Sequence, residues 1–310
     1  MSERPFRADP AIARRIAHAT EAIGPAFTER LTAELGPGHV LPGAGVEGLM
    51  TDFGLAGPRD VALLALPAAT RLARPPISGF FVGAVGIEAA SGDLVLGGNV
   101  EFPGLDLGST IHGEGFVAAR IFQRDTALAV LATGEARPCA HCRQCLSEYA
   151  WSRDLELIDP LGHTLSLAEL YPWPFVPGDL GEPGIVPGAV PWPDLALDAA
   201  GLEPDLAGAL IRAGRRAHAP YGRCPAAIAL RLHDGRLIVG SLIESVSFNP
   251  TISPLQSALI GLHADGAGYA DIASATLAVV RGGDVDPTAA TRALLGAITS
   301  SATLTVVTWS

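Results

Sequence analysis

The sequence predicts an α/β protein: a mixed sheet with covering helices, built twice in one chain, plus a small helical N-terminal region. Three observations carry this. Apolar runs of strand length alternate with helical segments through the first half, the second half repeats the spacing of the first, and a proline-rich stretch separates them.

Residues 1–73 alternate Ala/Leu/Ile-rich stretches with breaks at Gly36–Gly38 and Gly57–Pro58, which reads as a helical region without a chemical motif. In residues 74–170, Phe80–Glu88 and Leu94–Val100 predict strands joined by a turn at Ser91–Asp93. Phe80 and Phe81 would then point to opposite faces, one of them into the core. Ser109 is expected to cap a helix running to about Gln123. Leu128–Ala132 predicts a buried strand, and Pro138 opens a second helix reaching about Tyr149. Residues 171–193, rich in proline, read as a linker, and residues 194–310 as a degenerate second domain.

The repeat sets Pro76 and Phe80 against Pro220 and Cys224, Val95-Leu96-Gly97 against Ile238-Val239-Gly240, and Glu101 against Glu244. Equal spacing places His112 opposite Leu255 and Glu114 opposite Ser257. Leu128–Pro138 likewise matches Leu277–Pro287, which puts Cys139 and Cys142 opposite Thr288 and Thr291. Every residue of chemical interest is missing from the second copy.

Composition narrows the partners. A chain of 310 residues with 48% hydrophobic content buries a substantial core. Its net charge of −11 repels phosphate on average, which argues against nucleic acid and favours a small neutral substrate. Met1–Arg7 is charged where a secretory signal would be apolar, and no apolar run approaches about 18 residues. The expectation is a cytoplasmic protein with no membrane partner. Of four cysteines, Cys139, Cys142 and Cys145 fall in one short segment and Cys224 stands alone, which is metal-site or redox usage and not a disulfide framework.

Two motifs stand out: His112-Gly113-Glu114 and Pro138-Cys139-Ala140-His141-Cys142, each opening a predicted helix. One imidazole and two thiolates suit a tetrahedral zinc ion, one per chain, with the fourth position left for a water whose pKa the metal lowers. Glu114 is too close to His112 along the same turn for an obvious second ligand, and its natural role is proton shuttle. Cys145, turned away on the helix, is read as a small core residue, and His141 as exposed or beside the ligands.

His-x-Glu paired with Pro-Cys-x-x-Cys is the signature of zinc deaminases, and the wider chain resembles the cytidine deaminase family, in its long two-domain homodimeric bacterial form. Gly98-Asn99-Val100-Glu101-Phe102, Cys142-Arg143-Gln144, Phe248-Asn249-Pro250 and Pro254-Leu255-Gln256 carry the resemblance beyond the zinc motifs. It implies a cytidine deaminase-like fold and a zinc-dependent hydrolase that converts cytidine and deoxycytidine to uridine and deoxyuridine plus ammonia, in pyrimidine salvage. It also implies that Asn99 and Glu101 bind the ribose hydroxyl and that Phe80 packs on the pyrimidine. The backbone around Ser247 and Phe248 would reach the substrate across a dimer interface. The sequence departs from the family at Gly113, Gly115, Arg137 and Cys145. Two other readings stay open: a deaminase of another base or nucleoside, and a non-catalytic zinc-stabilised binding protein.

Overall fold

In a computed structural model, the residues described are 8–134, 137–198 and 201–309; Met1–Arg7, read above as lacking a signal, lie outside them. By its contacts the chain divides into two compact units, the first comprising residues 1–100 and 111–175, the second residues 101–110 and 176–310.

The first unit starts with α1 (Pro10–Glu34), β1 (Val40–Leu41), α2 (Gly43–Phe53) and α3 (Pro58–Thr70). Then follow β2 (Gly83–Glu88), β3 (Leu94–Gly98), α4 (Gly113–Arg124), β4 (Leu128–Thr133), α5 (Ala140–Leu146), β5 (Glu156–Ile158), β6 (Thr164–Ser166) and α6 (Leu167–Leu170). The strands form one mixed sheet in the order β1-β3-β2-β4-β5-β6, with only β4 and β5 parallel. Strand alternation divides its side chains between two faces. Val85, Ile87, Leu94, Leu96, Val130 and Ala132 pack with α1, α2 and α3 in one core, while the other face receives α4 through Phe116 and Val117. Helices on both sides explain why β2 and β3 are buried along their whole length.

The second unit comprises α7 (Pro204–Arg215), β7 (Ala227–Leu232), β8 (Leu237–Ser241), α8 (Pro254–Ala264), β9 (Ile272–Val280), α9 (Thr288–Ile298) and β10 (Thr303–Trp309). Its sheet runs β10-β9-β7-β8, again with one parallel pair, β9 and β10. Leu210 and Ala213 of α7 pack against Ala227, Ala229 and Ala278 on one face.

The duplication is visible in hydrogen-bond register. Val85 pairs with Leu96 and Ala229 with Val239, which confirms the match of Val95-Leu96-Gly97 to Ile238-Val239-Gly240. Each first strand carries an irregularity at its end, between Ile87 and Glu88 and between Arg231 and Leu232. The bridges Arg74–Val100 and Val100–Ile111 recur as His218–Ile243 and Ile243–Ile252.

Register also corrects the equal-spacing match. Because Ile252 takes the place of Ile111, the residue opposite His112 is Ser253, not Leu255, and the residue opposite Glu114 is Leu255, not Ser257. Glu88 pairs with Leu128 and Leu232 with Ile272, so Leu128 corresponds to Ile272 and not to Leu277. Counting from the helix starts, Cys139 stands opposite Pro287 and Cys142 opposite Ala290. The connections and strands differ in length between the copies, so a constant offset slips. The second copy still holds no equivalent of His112, Glu114, Cys139 or Cys142, while Glu244 stands opposite Glu101.

Three element boundaries differ from expectation. Ser109 caps no long helix: Leu107–Ser109 is a single 3-10 turn, after which Ile111 pairs with Val100, and α4 begins at Gly113 with His112 as its N-cap. The predicted strand at Phe80 begins only at Gly83, because the Val82 N–H is taken by the Asn99 side chain at 2.9 Å in place of a strand partner. Phe80 and Phe81 are therefore both exposed, at 61% and 57%, and neither is core. The second helix is shorter than predicted and starts after Pro138, with Cys139 as N-cap. The proline-rich stretch holds only one 3-10 turn, Pro177–Leu180.

Gly97 and Gly240, matched in the repeat, have the same task. A Cβ on Gly97 would lie 2.6 Å from the Phe116 ring of α4, and one on Gly240 would run into the Pro254 carbonyl and Ala258 N–H of α8. A ring can rotate aside and a helix backbone cannot. Gly240→Ala is expected to destabilise by about 2–3 kcal/mol and Gly97→Ala by about 1 kcal/mol; denaturant midpoints check the order, and an unaffected Gly240→Ala would contradict the close packing.

Candidate functional site

The chemistry-bearing side chains of the first unit gather where two helices begin. Val100–Ile111 pairing delivers His112 in an extended conformation to the N-cap of α4, with no capping bond from its side chain. The Phe116 N–H closes the first turn on the His112 carbonyl at 2.8 Å. Pro138 cannot donate a backbone hydrogen bond and delivers Cys139 to the N-cap of α5, so Cys142 falls in the first turn. The Tyr149 hydroxyl, beyond α5, donates to the Ala118 carbonyl of α4 at 2.9 Å and ties the two helices together.

His112 Nδ1 lies 3.2 Å from Cys142 Sγ and 3.6 Å from Cys139 Sγ, and the two sulfurs are 3.6 Å apart. A tetrahedral zinc ion with bonds of about 2.3 Å to sulfur and about 2.0 Å to nitrogen separates its ligand atoms by about 3.5–3.8 Å. Two of the observed edges, at 3.6 Å, fall within that range, and the His112–Cys142 edge, at 3.2 Å, is shorter. His112, Cys139 and Cys142 are also the one group of metal-capable side chains found among the described residues. The set fits zinc in both donor chemistry and spacing.

The hydrogen bond between the two sulfurs, with the backbone N–H groups of Cys142 and His141 and the nearby His112, holds Cys139 down at about 4 against the opposing effect of burial. The same bond, with burial, pushes the Cys142 thiol up. A divalent cation in the triangle would favour both as thiolates.

Glu114, in the first turn of α4, is buried. Burial pushes its carboxyl up, partly opposed by its own backbone N–H, by His112 and by a hydrogen bond with Cys142. A carboxyl raised in this way can both accept and return a proton beside the metal group. Cys145 is fully enclosed, and burial with the nearby Glu148 carboxylate pushes its thiol up to about 12. It stays a neutral core group outside the ligand set. The set therefore offers three protein donors, the number that would leave zinc a reactive position. His141 is exposed, its ring centroid 5.4 Å from that of His112.

Asn99 directly follows β3, and both ends of its amide are engaged: Oδ1 accepts from the Val82 N–H and Nδ2 donates to the Phe80 carbonyl, each at 2.9 Å. Asn99 thus fixes the segment that presents Phe80. Sequence reasoning missed this pin. An Asn at a strand end next to a glycine-rich loop is the kind of residue that bonds to nearby backbone, and that was the available signal. One lone pair on Oδ1 and one N–H on Nδ2 remain beyond these two bonds.

Glu101 is buried and belongs to the segment that groups with the second unit. Ser247 and Phe248 lie in a turn between β8 and α8 of that unit, where Phe248 is 67% exposed and holds φ at +66°. That backbone region is unfavourable for a bulky residue and marks a turn held in shape by its surroundings, here by the Phe248 N–H to Ser245 O bond of 2.8 Å and the Thr251 N–H to Phe248 O bond of 2.9 Å. Gly113 has room for a side chain, since a Cβ there would meet Ala84 and Val82 only at ordinary contact distances.

The family described as "Cytidine and deoxycytidylate deaminase zinc-binding region" matches this chain twice, over residues 59–154 and 167–292. A cytidine deaminase of Vibrio atlanticus (strain LGP32) is 32% identical over 239 residues, 77% of this chain and 79% of that protein. Among solved structures, the cytidine deaminase from Burkholderia pseudomallei overlaps 30% of this chain and 74% of its own, at 24% identity and a TM-score of 0.28. That from Mycobacterium leprae overlaps 30% and 77%, at 28% identity and a TM-score of 0.27.

Proposed function

Because the chain belongs to the cytidine deaminase family and is a zinc-dependent hydrolase, we propose that it deaminates cytidine and deoxycytidine to uridine and deoxyuridine, with release of ammonia, in pyrimidine salvage in the cytoplasm. The observation that carries this is the buried Glu114 carboxyl two residues beyond a ligating imidazole and bonded to Cys142.

His112, Cys139 and Cys142 would hold the zinc, which would supply a Lewis acid that makes water acidic near neutral pH. Glu114 takes the proton that water loses, gives it to the ring nitrogen next to the amino-bearing carbon, and then carries a proton to the departing amine. Water is consumed and ammonia leaves, with no net change in protons on Glu114. Its raised pKa suits both halves of that cycle.

Substrate binding follows the same positions. Asn99 has one lone pair and one N–H left for a sugar hydroxyl, and Glu101, two residues on, is the second sugar contact. Phe80, held at its carbonyl by Asn99, offers an aromatic face to the pyrimidine. Ser247 and Phe248 complete the pocket from a second copy of the chain, which makes the working form a homodimer; the constrained turn and exposed ring of Phe248 support that role. A net charge of −11 disfavours a 5′-phosphate, so nucleosides are the substrates rather than nucleotides.

Binding energy from the sugar orients the base at the metal, so free cytosine is a poor substrate. Glu101→Ala is expected to cost about 1–3 kcal/mol in kcat/KM for cytidine and deoxycytidine, with little change for cytosine. Comparing the three substrates in the variant checks this; equal losses would make Glu101 a support of the fold, and faster turnover of cytosine or CMP than of cytidine would overturn the nucleoside assignment.

A further inference from the structure

Arg143 and Gln144 directly follow the second cysteine and hold no metal. We propose that they form a clamp through which zinc binding at Cys139 and Cys142 orders residues 170–175, the end of the first unit, with Gln144 as the positioning residue.

The clamp is built of four hydrogen bonds. Arg143 Nε donates to the Pro138 carbonyl at 2.8 Å, and Arg143 Nη1 to the Leu170 carbonyl at 3.0 Å. Gln144 Nε2 donates to the Phe175 carbonyl at 2.6 Å, while Oε1 accepts from the Tyr171 hydroxyl at 2.9 Å. Gln144 is 7% exposed, with both ends of its amide satisfied by this one segment. Burying an amide is unfavourable unless it is bonded, so the geometry is specified and not incidental.

The segment needs an external hold. Pro172 and Pro174 have no N–H, which rules out continuing α6 or entering a strand ladder. Trp173 between them points to solvent at 93% exposure and anchors nothing. Both ends, Leu170 with Tyr171 on one side and Phe175 on the other, are instead gripped from α5. Phe175 is the last residue of the first unit, so the clamp sets where the chain leaves it.

α5 has only seven residues. A helix so short has no stability of its own and depends on tertiary restraints. Metal bonds from Cys139 and Cys142 to the ion shared with His112 fix its first turn, and Arg143 and Gln144 sit on the turn that follows. Ordering passes from metal to helix to segment, and linkage requires the reverse: releasing the segment weakens the hold on the metal by the same factor.

The inference rests on the zinc assignment, and the test separates the two. Amide hydrogen exchange is followed in the full-length protein with zinc and after removal by a chelator, and zinc affinity is measured by competition with a chelator in wild type, Gln144→Leu and Tyr171→Phe. With zinc removed, exchange over 140–146 and 170–176 should accelerate at least about fivefold, with the strands of the first sheet little changed. Gln144→Leu should bind zinc about fivefold more weakly, and Tyr171→Phe, which keeps the bond to Phe175, by a smaller factor. Unchanged exchange over 170–176, acceleration spread evenly over the first sheet, or wild-type zinc affinity in both variants would overturn the clamp. A wild-type protein that holds no zinc would overturn the metal assignment itself.

Discussion

Replacing Glu114 by Gln is expected to lower kcat for cytidine by about 10²- to 10⁴-fold while leaving zinc content and folding intact. Gln has the same shape and can still accept a hydrogen bond, so the packing around the first turn of α4 is kept. It cannot take a proton from water or hand one to the ring and the amine. Stability should not suffer, because burial pushes the Glu114 carboxyl up; a neutral amide removes the cost of keeping a charge there. The check is kcat together with metal content and a denaturation midpoint on one preparation. Turnover within a few-fold of wild type would remove Glu114 from the mechanism.

Replacing Cys142 by Ala is expected to abolish both zinc binding and deamination. Two remaining donors cannot hold the ion tightly, and removing a buried sulfur also leaves a gap at the α5 start. Cys145→Ala, three residues further along the same helix, is the control: its thiol lies outside the metal group and should leave one zinc per chain and most activity. Metal analysis checks both variants. Zinc retained by Cys142→Ala, lost from Cys145→Ala, or present at two equivalents in wild type would contradict the ligand set.

The metal triangle was legible in the sequence because its information is local. Pro138 fixes where a helix can start, the spacing of Cys139 and Cys142 is one helical turn, and His112 opens another helix; contact between α4 and α5 then brings the three together. The pairing of β2 with β3 was legible for the same reason, since the turn at Ser91–Asp93 joins two apolar runs of strand length. What failed to show was long-range. That Asn99 would take the Val82 N–H and so shorten β2 depends on two segments meeting in space. The offset between the copies slipped because Ile111 and Ile252 are each fixed by a bridge to a preceding residue, and only the fold reveals those bridges. The N-terminal helices read as a region apart, yet they form one wall of the first core with Val85, Leu96 and Val130. Periodicity shows that a helix has an apolar face and not what the face meets.

The central claim is that the metal group acts on a pyrimidine nucleoside, and the direct measurement is ammonia and uridine formed from cytidine by the zinc-loaded protein, before and after chelation. Equal amounts of both products are expected, with loss of the reaction when zinc is removed and recovery when zinc is restored. No ammonia from cytidine, with turnover of a free base such as cytosine or guanine instead, would contradict it.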